Sequence, residues 1–192
     1  MNLIESLQKQ FGYDPLHKID PNTQDLETGE AVSNEHQFNQ AAIPVILTGI
    51  HRFTATDTGA EEVLNTQTST GWVNKLFAED ANEVISRVAD YSGFDKAATQ
   101  NKLNEMAAKA TELIREAVSP GNKMMDVKDL MEAQINNILT FLPATLHMGD
   151  LLNENTIDDR TNKMEGPISS LIQAIGSGFS KADKDEKKED TI

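Results

Sequence analysis

Four histidines, His17, His36, His51 and His147, are the side chains best suited to metal ligation or proton transfer in a 192-residue chain that has no cysteine. Imidazole changes charge near neutral pH and ligates transition metals through either ring nitrogen. His147 precedes Asp150 and Glu154 at spacings that place all three on one helical face. With His51 arriving from a facing helix, His51, His147, Asp150 and Glu154 would form a mixed nitrogen and oxygen metal site. The pattern is not that of an established metal centre. Closed structural sites use about four Cys or His ligands at characteristic spacing, and di-metal bundles repeat Glu-x-x-His on separate helices. Neither occurs, so satisfied or exposed histidines are the simpler reading. Asp150, Glu154, Asp158 and Asp159 offer carboxylate oxygens of the kind calcium takes, but not at EF-hand spacing, and a solvated helix end explains them as well.

Nucleophilic catalysis finds no support. There is no G-x-S-x-G elbow, no thiol, and no Ser or Thr beside a histidine on a strand-turn element. Gly176-Ser177-Gly178 lacks both the strand before and the lysine after a phosphate loop, and reads as a helix C-cap. Trp72 and Phe77, at helical spacing, read as core rather than as the walls of a ligand pocket. No catalytic or cofactor-binding residue is assigned, and no cofactor is expected.

The charge balance narrows the partners. Lys and Arg total 17 against 31 Asp and Glu, a formal net charge of -14. Such a field repels nucleic-acid phosphates and anionic membrane surfaces. The N-terminus, MNLIESLQKQFGY, has neither a basic leader nor a secretion-type apolar run, so a cytoplasmic protein is expected. No segment approaches the roughly 20 apolar residues needed to span a bilayer. One core, without disulfides, must hold the fold.

That core is organised around FNQAAIPVILTGIHRF, Phe38 to Phe53. Phe38, Ala41, Ala42, Val45, Ile46, Gly49, Ile50 and Phe53 form a continuous stripe at the 3.6-residue period, and Ile43 and Leu47 make the other side apolar too. The pattern predicts a central helix from Ser33 to about Thr54, kinked or restarted near Pro44. Gly49 leaves a side-chain-free spot that a close helix crossing would use. A second long core helix is expected from Asp126 to Leu152, kinked near Pro143 and packed against the first. Between them the sequence predicts helices at Thr58 to Leu64, at Trp72 to Phe77, from an Asp80 capping box to Ser92, and from Asp95 to Ala117. The resulting organisation is a short amphipathic helix and polar linker over 1–32, a helical core domain over 33–152, a loop and short helix over 153–180, and a charged disordered tail over 181–192. The fold class is all-α, an orthogonal array or irregular bundle on two long Pro-kinked helices, with no β-sheet.

The order of signals from Ala42 to Val118 resembles a bacterial family of unknown function, the YidB-like proteins. It rests on AIPVILTGIHRF, TGAEEVLN at Thr58 to Asn65, WVNKLF at Trp72 to Phe77, YSGF at Tyr91 to Phe94, and the long helix that follows. The resemblance implies an all-helical orthogonal array and no established activity, and it transfers no site residue. The function expected is a non-enzymatic structural or interaction module acting through helical faces, by self-association or with a protein partner. The alternative is a small-molecule or metal-binding protein, or a weak hydrolase, with its site between the two core helices.

Overall fold

The computed structural model describes residues 1–19, 33–66, 70–121 and 123–152, and within them the chain is all-helical. Its centre is α2 (Asn34–Thr54), which Ser33 opens by accepting a hydrogen bond from the His36 N–H at 3.2 Å. Every residue from Phe38 to Ile50 is buried. A helix so covered needs neighbours on all sides, and α2 has them: α1 (Leu3–Phe11), α3 (Asp57–Asn65), α4 (Trp72–Phe77), α5 (Ala81–Ser92), α6 (Lys96–Val118) and α7 (Met124–Leu139) all pack against it. Pro44 sits inside this helix without dividing it into two elements.

The expected second core helix is shorter than its apolar pattern. It pairs with α2 as anticipated, but α7 ends at Leu139, and a 3-10 turn (Ala144–Leu146) and α8 (Met148–Leu152) replace its last turns. Pro143 accounts for the break, since its ring excludes helical geometry at Leu142 and it has no N–H to continue the ladder. The Thr140 hydroxyl then donates to the Asn137 carbonyl at 2.7 Å, closing the helix end. The buried stripe nevertheless continues through Leu142, Leu146, Met148 and Leu152, so the apolar periodicity survives a change of backbone.

The Asp80 capping box does not form. A 3-10 turn (Ala78–Asp80) runs straight into α5, placing Asp80 in helical geometry where its side chain caps nothing. Capping occurs as expected at Asp95, whose carboxylate accepts from the Ala98 N–H at 2.9 Å, and Thr56 caps α3 in the same way. Along α6, Leu103, Met106, Ala107, Ala110 and Ile114 are buried as the stripe requires, whereas Ala117 is exposed and Val118 takes the inward position.

The first helix docks on the body rather than standing apart. Leu3, Ile4 and Leu7 belong to the same apolar core as α2. Gln134 of α7 holds the entry to α1 at both ends of its amide, accepting from the Leu3 N–H at 3.2 Å and donating to the Met1 carbonyl at 3.0 Å. The expected helix at Pro167 and the tail from Lys181 lie outside the described residues. Among the described residues no helix is long and apolar enough to cross a membrane.

Candidate functional site

Among the described residues, His51, His147 and Asp150 do not come together as a group that could hold a metal ion. His51, near the end of α2, faces α7, where its Nε2 lies 3.1 Å from the Glu132 carboxylate. His147 occupies the turn between the 3-10 helix and α8 in left-handed geometry, at φ 45°. Its Nδ1 is 4.0 Å from Asp150, both side chains are largely exposed, and its carbonyl accepts from Arg87 at 2.7 Å. The α2 and α7 helices run antiparallel, with Gln40 reaching Phe141 at one end and His51 reaching Glu132 at the other. Gln40 and His51 are therefore about 16 Å apart along α2 at 1.5 Å per residue, and His147 follows Phe141 in the turn before α8. Glu154 lies outside the described residues, as do Asp158 and Asp159. No group of three His, Cys, Asp or Glu among the described residues is arranged to hold a metal ion.

The structure instead gathers polar side chains where α2 begins. Gln40 is fully buried, and its amide makes three hydrogen bonds. It accepts from the His17 N–H at 2.9 Å and donates to the carbonyls of His17 at 3.0 Å and Phe141 at 2.9 Å. This clamp fixes the extended segment after α1, which is further held by the Ile19 N–H donating to the Thr140 carbonyl at 2.9 Å and by burial of Leu16. Residues up to Ile19, expected as the start of a polar linker, are thus packed against the ends of α2 and α7.

Beside the clamp the rings of His17 and His36 meet edge to face, with centroids 5.2 Å apart. Among the described residues, His36 Nε2 is buried without a hydrogen-bond partner, and so is Oδ1 of Asn39 one turn further along. Burial first, and His17 second, hold the His36 pKa below the ordinary histidine value, with Asp14 pulling the other way. A signal for this cluster existed in the sequence. His36, Asn39 and Gln40 are polar residues at i, i+3 and i+4 on a helix otherwise apolar all round, and polar groups placed there need partners.

A second feature is an open groove of about 630 Å³ between α3, the end of α6 and the start of α7. It is lined by Glu61, Leu64, Asn65, Glu116, Ser119 and Met124, together with Arg115 and Lys123. The Arg115 guanidinium is already committed, donating from Nη1 to the Val63 and Thr66 carbonyls at 3.0 and 2.7 Å and so closing the C-terminal end of α3. Glu61 and Glu116 are exposed on the groove walls. Met124 and Met125 are 39% and 62% exposed, and apart from Met1 they are the large apolar side chains that the described residues leave in water.

No family model matches this chain, and no curated protein or solved structure is significantly similar to it.

Proposed function

We propose that the protein is a non-enzymatic helical interaction module whose groove between α3, α6 and α7 takes a basic, apolar-anchored segment of another protein. The observation that carries this reading is Met124, a large apolar side chain 39% exposed in the groove, with Met125 next to it in the chain 62% exposed. Methionine is unbranched and polarisable, and it adapts to partners of irregular shape at low cost. The charge of the partner follows from the chain's own. A net charge of -14 steers cations inward, Glu61 and Glu116 stand on the groove walls, and Arg115 is turned onto α3. Lys123 is the groove's remaining cation. The resemblance to the YidB-like family belongs to the same reading, since it implies a helical scaffold without an established activity.

The test is titration of the isotope-labelled chain with an amphipathic Lys/Leu helical peptide and with its Glu/Leu counterpart. Saturable amide shifts at Leu64, Asn65, Ser119 and Lys123 are expected with the basic peptide alone, weakened by salt and by Met124→Glu. Equal response to the acidic peptide, or shifts confined to another face, would overturn the reading. Light scattering on the free chain adds a separate check: a dimer that Met124→Glu dissolves would assign the groove to a second copy and refute the basic partner.

A further inference from the structure

The cluster at the start of α2 has a geometry that hydrogen bonding does not use. An imidazole nitrogen lies roughly 1.1 Å from its ring centroid and a zinc–nitrogen bond is about 2.0–2.1 Å long, so each ligating ring is centred about 3.2 Å from the ion. Two such rings at the tetrahedral angle have centroids about 5.2 Å apart. His17 and His36 are separated by 5.2 Å, with their planes inclined at 63°.

The unpaired atoms point the same way. Among the described residues, His36 Nε2 and Asn39 Oδ1 are both buried without a partner, and Asn39 is 3% exposed. Leaving an acceptor dry and unpaired is costly, and a cation satisfies two acceptors at once. Asp14 adds a negative field. The backbone around the cluster is fixed, since the Gln40 amide holds both the N–H and the carbonyl of His17.

We propose that His17, His36 and the amide oxygen of Asn39 form a binding site for one borderline divalent metal ion of the zinc type, with water completing the shell. Imidazole donors select such ions over the hard cations calcium and magnesium. The site is distinct from the His51, His147 and Asp150 arrangement and from the groove, so it stands or falls independently of the interaction reading.

The test uses the full chain without an affinity tag, stripped with chelator. Calorimetric titration with Zn²⁺ should give one site per chain that weakens as pH falls through the histidine range, because protons compete for the ligands. Co²⁺ in place of zinc should give the intense visible bands of a tetrahedral ion. His17→Ala and His36→Ala should each weaken Zn²⁺ binding by about tenfold or more, and His147→Gln should leave it unchanged. His17 is exposed, so its removal does not threaten the fold, and circular dichroism checks His36→Ala. Absence of saturable binding up to about 1 mM Zn²⁺, an affinity floor near 4 kcal/mol, would overturn the proposal. So would binding that survives His17→Ala undiminished or is lost in His147→Gln.

Discussion

Gly49 offers the sharpest test of how α2 is packed. A Cβ built there would lie 2.5 Å from Cζ and 2.8 Å from Cε1 of Phe77, the last residue of α4. Carbon atoms in contact sit about 3.5–4.0 Å apart, so the ring would have to retreat by about 1 Å. Phe77 is 1% exposed, so there is little room for the ring to withdraw. Overpacking of this kind costs about 1–3 kcal/mol, whereas replacing a helical Gly by Ala regains about 1 kcal/mol of helix propensity. Gly49→Ala should therefore lose about 0–2 kcal/mol. Gly49→Leu, which carries three more carbons into the same space, should lose about 3 kcal/mol or more. Urea unfolding followed by the fluorescence of the sole tryptophan, Trp72, measures both, because Trp72 is fully buried in the same helix as Phe77. The control is the Phe77→Leu background. With the ring gone, Gly49→Ala should become neutral or stabilising by up to about 1 kcal/mol, a coupling of about 1–3 kcal/mol. If Gly49→Ala stabilises the otherwise unaltered chain by about 1 kcal/mol, Phe77 does not rest on Gly49, and the packing of α4 on α2 is wrongly drawn.

Three further outcomes follow from named contacts. Gly59→Ala should be more damaging than Gly49→Ala, by about 3 kcal/mol or more, because its Cβ would lie 1.9 Å from the Phe53 carbonyl oxygen, a backbone atom that cannot step aside; thermal unfolding reads it. Gln40→Leu should cost about 2–4 kcal/mol by orphaning one donor and two acceptors, and amide exchange at His17 and Ile19 should accelerate more than exchange within α6. His36 gives a pH dependence with a definite sign. Its folded pKa lies below the ordinary histidine value, so the unfolded chain binds the proton more readily, and stability present above about pH 6.5 is lost as pH falls through that value toward the folded one. His36→Gln should flatten the stability profile between about pH 7 and 5, and an unchanged slope in urea midpoints would refute the assignment.

The helices themselves were legible because their signals are local. The three, one, three, one spacing of Phe38 to Phe53 identified α2, and the same periodicity marked the buried sides of α5 and α6. Periodicity failed where backbone and side chain give conflicting signals. Leu142, Leu146 and Met148 keep an apolar rhythm that reads as continuous helix, yet Pro143 breaks the backbone beneath them. Asp80 has the residue type of a cap, but the 3-10 turn before α5 leaves it in helical geometry at φ -82° and ψ -5°, and a cap requires an extended residue. The candidate site was hidden for a different reason. His17 and His36 meet only because Gln40 and Thr140 draw the segment after α1 against α2 and α7, and no local pattern reports a contact between parts so distant in the chain. His51 and His147 look promising through their own neighbourhoods, but His51 pairs with Glu132 of α7 while His147 sits beside Asp150 in the turn before α8.

The Gln40 amide also bears on the order in which the chain folds. Its hydrogen bonds join residues 23 and 101 positions away, so the clamp closes only after α2 has met both the segment from the N-terminus and the far end of α7. Contacts of such long range form after local helices and their nearest packings, because the entropy of closing the intervening chain must first be offset. Gln40→Leu is therefore expected to speed unfolding while slowing folding little, as read from the two arms of a urea chevron, and a folding rate that falls as far as the stability would refute a late-forming clamp. On that expectation a buried glutamine in an apolar helix is a latch on lifetime, setting how long the assembled array persists more than how quickly it assembles.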